Sequence, residues 1–317
     1  MARRITILLL AVLLIAALAT LPFFLKAFYV RVGLSIFLSA GFAVCWWLLA
    51  GFTSYYSFGH TAFVGIGAFA AALALRAVPE AAPALQLAWA LGAGLVVAGG
   101  IAMIIAWPIL RLRGHYFTIA MLAVALVLGE AVAAFPIFGG STGLALPNLA
   151  PMSVRVEAFF YWIALALLAV VLAIAWAISR SRLGYGLAAI REDEDAAQML
   201  GVPTTRFKVV AFVLSGALTG SIGAVYALNL GYITSDSVFR GSLSLEMIVN
   251  SLVGGMGSIL GPVIGAAVMT GVTKLVLADL LEYHLAITGI LIIAVVLLAP
   301  DGIVGLWRRR RAREAER

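Results

Sequence analysis

Few side chains in this sequence are equipped for chemistry, and most of them crowd into one stretch. Ser179 to Lys208 holds five basic residues (Arg180, Arg182, Arg191, Arg206, Lys208) and the only acidic run, Glu192, Asp193, Glu194 and Asp195. Elsewhere the ionisable groups are thin. The three histidines (His60, His115, His284) and the single Cys45 are too scattered for a zinc site. No G-x-S-x-G elbow offers a nucleophile. A phosphate-cradling loop needs G-x-x-x-x-G-K-[ST], and Lys26, Lys208 and Lys274 all lack the glycine before them. The residues therefore predict no enzyme, no metal and no cofactor. What remains for polar side chains is to dock a partner or to line a path.

The elements that carry them are apolar. Of 317 residues, 64% are hydrophobic and 11% charged, far from the composition of soluble domains. No polar segment exceeds about 30 residues, too few for a catalytic domain. The net charge of +7 sits in short blocks between apolar runs, as in membrane loops, and does not predict nucleic acid as a partner. Cys45 lies inside an apolar run and excludes an intrachain disulfide. The first residues, with Arg3 and Arg4 and Ala17-Leu18-Ala19, imitate a secretory signal. The apolar run continues to Leu25, so a retained first helix is expected.

At roughly 20 residues per crossing, the runs predict an all-α polytopic integral membrane helical bundle of about ten transmembrane segments. They fall at 5–25, 32–50, 57–76, 84–107, 116–135, 158–178, 208–230, 243–257, 259–279 and 283–300. The third and eighth, rich in glycine and serine, are candidates for broken or re-entrant segments. An even number puts both termini on one side. With that side inside, fifteen of the 21 basic residues lie inside and six outside, which satisfies the positive-inside rule. Both termini and the polar island are then cytoplasmic. The chain is expected to be one transmembrane domain, 1–317, with a cytoplasmic loop at 179–208 and a basic tail at 307–317.

Within the island, Ile190 to Leu200 reads as one short helix. Its carboxylates crowd the first turns, where the helix dipole favours them, and Gly201 and Pro203 stop it. Ile190, Ala197 and Leu200 fall on one apolar face. That face, edged by Arg191, Glu192, Asp193, Glu194 and Asp195, is expected to fit a groove on a cytoplasmic partner; a solvated connector is the alternative.

Ionisable residues inside spans usually face a protein interior or a watery path. His60, Glu130 and Glu246 are the clearest, with Asn250 on the face of Glu246 at i, i+4. Ser141 and Thr142, flanked by glycines in an outer loop, join them as candidates to meet a solute. Each also has a structural reading: His60 as a satisfied core histidine, Glu130 as an acid at the interface, Glu246 and Asn250 as helix-to-helix bonds, and Ser141 and Thr142 as loop geometry. Close-set glycines at 51–67 and 254–265 occupy loosely corresponding places in the two halves, a weak pointer to paired broken segments.

One resemblance is specific. GLAAIREDEDAAQMLGVPTTRFKVVAFVLSGALTG (186–220) resembles the coupling loop and following helix of bacterial ABC-importer permeases for branched-chain amino acids. It carries that family's R-x-x-x-x-A-A-x-x-x-G-[IV] core at Arg191, Ala196, Ala197, Gly201 and Val202. Its K-x-x-A-F-x-x-S-[AG] follows at Lys208, Ala211, Phe212, Ser215 and Gly216. In order, SFGHTAFVGIGAFAAAL (57–73), LRLRGHYFTIAMLA (110–123), FGGSTGLALP (138–147) and GGMGSILGPVIGA (254–266) also resemble family stretches. Together they span most of Gly51 to Pro300.

The resemblance implies a permease subunit that pairs with a second, homologous permease. Its other partners would be two cytoplasmic ATPase subunits and a periplasmic or extracellular solute-binding protein, all set in membrane lipid of a bacterial inner membrane. Urea, short amides and other amino acids stay open as substrates, and an ion-coupled transporter using Glu130 and His60 is a less favoured alternative. Two departures stand out. Where the family commonly has G-x-x-G-Q-x-S before Ser57, this chain has Ser54, Tyr55 and Tyr56, so Tyr55 and Ser57 join the candidate path. The family's P-R-G is Pro300-Asp301-Gly302, for which the sequence offers no physical reason.

Overall fold

Long apolar runs with no water to serve their backbones must close their hydrogen bonds internally, and the described runs do so as helices. The computed structural model describes residues 2–276, 289 and 302–305, with the side chains of 2–11, 141 and 276 outside that description. In chain order the helices are α1 (Ala2–Phe24), α2 (Ala27–Thr53), α3 (Thr61–Ala77), α4 (Pro83–Ile109), α5 (His115–Ala134) and α6 (Val156–Ser179). Then come α7 (Arg182–Glu192), α8 (Glu194–Met199), α9 (Thr204–Leu230), α10 (Ser235–Val238), α11 (Gly241–Gly254) and α12 (Gly261–Gly271). Two short strands, β1 (Leu144–Ala145) and β2 (Tyr232–Ile233), pair antiparallel.

Among the described residues, α2, α4, α5, α6 and α9 are long and apolar enough to cross a membrane. The segments expected at 57–76 and 243–257 are shorter. α3 has 17 residues and α11 has 14, about 26 and 21 Å at 1.5 Å per residue, against a hydrocarbon core of about 30 Å. Each follows a largely non-helical approach, Ser54–His60 before α3 and Gly231–Arg240, interrupted by α10, before α11. The ninth expected span begins as α12 and continues in a π turn, Val272–Val276. Its remainder, the tenth at 283–300 and the tail at 307–317 lie outside the described residues.

α9 is the axis of the bundle, packed on α2, α3 and α4. Lipid supplies no hydrophobic force between helices, so close backbone packing must hold them. Gly220 is where three helices converge: a methyl there would overlap Ala98 and the Gly94 carbonyl of α4, and the Gly220 carbonyl would collide with a methyl at Gly67 of α3. α2 runs antiparallel to α9, since Gly41 faces Ile222 while Ser215 Oγ donates to the Cys45 carbonyl at 2.5 Å. α11 and α12 form a hairpin in which Gly265 sits against the Asn250 carbonyl. Gly302, at φ +71°, seats against Gly255 at the end of α11.

The broken approach to α3 is held by side chains. Trp46 Nε1 donates to the Ser57 carbonyl at 2.8 Å, Thr118 Oγ1 to the Tyr56 carbonyl at 3.0 Å, and the Thr61 amide donates to Ser244 Oγ at 2.9 Å. Irregular backbone of this kind is stable at membrane depth only when protein satisfies it. A similar repair holds α1. Pro22 has no N–H, which leaves the Leu18 carbonyl without its helical donor, and Tyr161 of α6 donates its hydroxyl there at 2.9 Å. Trp162 Nε1 serves the Ala19 carbonyl at 2.9 Å, and Arg155 reaches the Pro22 and Leu25 carbonyls.

Candidate functional site

The polar island folds as two helices, where one was expected from Ile190 to Leu200. Ser181 Oγ accepts from the Gly184 amide at 3.3 Å and caps α7. At Asp193 the backbone turns extended, with φ −158° and ψ 114°. Its carboxylate accepts from the amides of Asp195 at 2.9 Å and Ala196 at 3.0 Å. An aspartate that satisfies two free amides is worth about 1 kcal/mol as an N-cap, and here it starts a second helix. Gly201, at φ +82°, ends the element as expected, with the Val202 amide closing on the Ala197 carbonyl at 3.0 Å.

This break divides the expected apolar face. Ile190 and Ala197 are buried in the protein, while Met199 is 86% and Leu200 84% exposed. Ala197 is core, and the exposed apolar side chains at the end of α8 are Met199 and Leu200.

The acidic run does more than cap. Glu194 Oε1 lies 2.5 Å from Nζ of Lys208, whose side chain is 4% exposed at the root of α9. The hydroxyl of Tyr55 donates to Glu194 Oε2 at 2.7 Å, and Lys208 Nζ donates to that hydroxyl at 3.0 Å and to the Leu110 carbonyl at 3.4 Å. The ammonium also stands 4.7 Å from the centre of the Tyr55 ring. Burial first, and then the Glu194 carboxylate, push the Tyr55 phenol above its ordinary pKa, so it stays a donor. Outside this buried triad, Arg113 Nη1 grips both oxygens of Asp195 at 2.9 and 3.1 Å. Arg191 donates to the Gly51 carbonyl at 3.3 Å and pairs with exposed Glu192 at 3.1 Å. α8 is thus bolted to α9 through Lys208, to the approach of α3 through Tyr55, and to the α4–α5 turn through Arg113.

The other candidates fall elsewhere. Ser57 and His60 are fully buried where the α3 approach crosses α9, and His60 Nε2 lies 2.9 Å from Ser215 Oγ. Ser57 Oγ and His60 Nδ1 have no partner among the described residues. Asn250 is buried in α11, and Glu246 on the same helix is exposed. Thr142 belongs to the glycine turn beside β1: its hydroxyl donates to the Gly139 carbonyl at 2.8 Å, and its carbonyl accepts from Tyr232. The side chain of Ser141 lies outside the described set. Glu130 lines a cavity of about 340 Å³ between α5, α10 and α11, together with Asp236 and Arg240. The structure therefore brings Tyr55 to the island, far from Glu130, and joins neither to His60.

Sequence reasoning passed over Lys208 and Arg113, which anchor the island. Lys208 had a readable signal, a lone cation entering an apolar span, which needs a partner.

A family model described as the branched-chain amino acid transport system permease component matches residues 24–296. The high-affinity branched-chain amino acid transport system permease protein LivM of Salmonella typhimurium is 31% identical over 248 residues, 68% of this chain and 56% of that protein. Its Escherichia coli counterpart is 29% identical over 247 residues, with the same coverage. The autoinducer 2 import system permease protein LsrC of Klebsiella pneumoniae is 33% identical over 159 residues, 48% of this chain and 45% of that one. The chain thus spans about half the length of the curated relatives it matches. No solved structure matches it.

Proposed function

Because this chain belongs to the family of branched-chain amino acid transport permease components, we propose that it is a permease subunit of an ATP-driven importer. It carries branched-chain amino acids or a similar small solute across a bacterial inner membrane. A solute-binding protein delivers the solute, two ATPase subunits act from the cytoplasm, and a second homologous permease completes the path. The ten-span topology with both termini inside is part of this reading. It is supported by the charge distribution and by the meeting, at one end of the bundle, of the island, Tyr55 and Arg113.

The observation that carries the proposal is the anchorage of α8. Its exposed Met199 and Leu200 suit an apolar groove on an ATPase. Behind them, Glu194 and Asp195 hold α9, the α3 approach and the α4–α5 turn by charge-assisted bonds of 2.5–3.1 Å. Such bonds are short, directional and stronger than neutral ones, and the buried ones, to Lys208 and Tyr55, carry a push on α8 to α9 and to the α3 approach. This chain has no P-loop, and the energy enters at that surface.

The test is uptake of labelled leucine into liposomes holding this chain, its partner permease and the ATPase subunits, with binding protein supplied. Uptake is expected to require ATP and every subunit. Uptake by this chain alone, driven by an ion gradient, would overturn the importer reading and favour a secondary transporter.

A further inference from the structure

The approach to α3 stops one turn short of being helix. Ser57 Oγ and His60 Nδ1 are buried and bond to no described residue, and the amides of Ser57 and His60 donate to none either. A buried polar group left unpaired costs its full desolvation, so a cluster of them in one turn has a structural reason. The neighbours fix the tautomer. The one proton of Ser215 Oγ goes to the Cys45 carbonyl at 2.5 Å. His60 Nε2, 2.9 Å from that oxygen, is therefore the donor, and Nδ1 is a bare acceptor.

The spacing matches these unmade bonds to one another. In a capping box the N-cap hydroxyl accepts from the amide three residues on, and the side chain at that third position accepts from the N-cap amide. Ser57 and His60 stand at that spacing, and each has an acceptor and a donor to spare. His60 is already helical, with φ −65° and ψ −23°. The next amides make the tight three-residue bonds of an unfinished helix end: Ala62 donates to the Gly59 carbonyl at 3.0 Å and Phe63 to the His60 carbonyl at 3.1 Å. In a longer α3 the Thr61 amide would go to the Ser57 carbonyl; here it goes to Ser244 Oγ of α11 at 2.9 Å. The segment is strained at its other end. It leaves α2 through Ser54, at φ +58° the one residue besides glycine with a positive φ among the described residues, and such strain gathers at switch regions.

We propose that Ser57–Thr61 is a two-state turn, open in this structure and closed at another stage of transport. On closing, Ser57 Oγ accepts from the His60 amide and His60 Nδ1 from the Ser57 amide. The Thr61 amide leaves Ser244 for the Ser57 carbonyl, whose second lone pair is free beside the bond from Trp46. α3 gains a turn and gives up its amide bond to α11, so the two broken segments part. Tyr55, two residues before Ser57, is held by Glu194 and Lys208. The island therefore pulls on the turn from about 10 Å below, the rise of α9 from Lys208 to Ser215. What drives closure rests on the importer reading; the two states rest on the unmade bonds.

The test is Ser57→Ala in the full complex, reconstituted in liposomes for uptake and in lipid nanodiscs for the other measurements. The hydroxyl bonds nothing in the open turn, so the thermal midpoint is expected to stay at or slightly above that of wild type. Losing the N-cap of the closed turn is expected to lower leucine uptake per ATP about fivefold. Hydrogen–deuterium exchange of residues 57–63 reads the turn directly, and in wild type alone. Wild type trapped with ATP and vanadate is expected to exchange there about tenfold more slowly than the nucleotide-free complex, a difference that Ser57→Ala abolishes. A lowered midpoint in Ser57→Ala, or equal exchange in the two wild-type states, would overturn the two-state turn. ATP-driven uptake indifferent to Ser57→Ala defeats this proposal alone. ATP-independent uptake that Ser57→Ala still lowers defeats only the importer reading.

Discussion

Nζ of Lys208 lies 2.5 Å from Oε1 of Glu194, with the lysine side chain 4% and the glutamate 14% exposed. Removing one member of such a pair leaves the other charge buried and typically costs about 3–5 kcal/mol, whereas replacing both by neutral groups of similar volume is often nearly harmless. Glu194→Ala is therefore expected to lower the thermal midpoint of the detergent-solubilised complex sharply. Glu194→Gln with Lys208→Met should recover most of that loss. The double variant is still expected to hydrolyse ATP with little leucine uptake, because the charge-assisted link from α8 to α9 is gone. A stable double variant with wild-type uptake per ATP would show that the pair only holds the fold.

The same helix separates docking from folding by exposure. Leu200→Arg and Met199→Glu change side chains that are 84% and 86% exposed, so the midpoint should hold within about 0.5 kcal/mol of wild-type stability. ATPase recruitment, measured by co-purification, should fall. Ala197→Arg, at 2% exposure, forces a charge into the core and is expected to prevent accumulation of folded protein. Loss of ATPase binding from Ala197→Arg would thus say nothing about docking. Unchanged recruitment in Leu200→Arg would remove the apolar docking role.

What could be read from the sequence divides along the reach of its signals. α4, α6 and α9 lie within a few residues of the runs expected at 84–107, 158–178 and 208–230, since length and apolarity alone make a helix in lipid. α2 begins at Ala27, ahead of the run expected from 32, because a charge does not end a helix: Arg31 is helical and its side chain pairs with Glu157 of α6 at 3.5 Å. The break at Asp193 had a local signal, an N-cap residue followed by acids, but a uniform acidic run hides which carboxylate caps. Tyr55 stands out in the sequence only as a departure before Ser57, and its hydroxyl meets a carboxylate 139 positions away. No periodicity reports a contact of that span. Only folding brings it about.

The link between Pro22 and Tyr161 allows a double-mutant test. Tyr161→Phe leaves the Leu18 carbonyl with neither its helical donor nor the hydroxyl, and an unsatisfied group of this kind costs about 1–3 kcal/mol. Pro22→Ala restores an N–H in register for that carbonyl. Tyr161→Phe is therefore expected to destabilise the wild-type background and to be much milder in Pro22→Ala, read as a positive coupling in thermal unfolding. Equal effects in both backgrounds would mean that the hydroxyl serves packing and not the proline gap.

Tyr55 predicts a pH dependence with a definite sign. Burial and the Glu194 carboxylate raise its phenol above the ordinary value of 10.0, so above that pH the unfolded chain releases a proton that the folded protein keeps. The folded state then binds more protons than the unfolded one, and stability falls as pH rises. The contribution of the hydroxyl is fully present below pH 10 and is lost progressively as pH climbs toward the folded pKa. Wild type and Tyr55→Phe share every other titrating group, so the difference between their thermal midpoints isolates this one. That difference should be flat between about pH 7 and 9 and shrink above about pH 10. A difference that stays constant would place Tyr55 in contact with solvent, and one that grows would reverse the assignment of Glu194 as its acceptor.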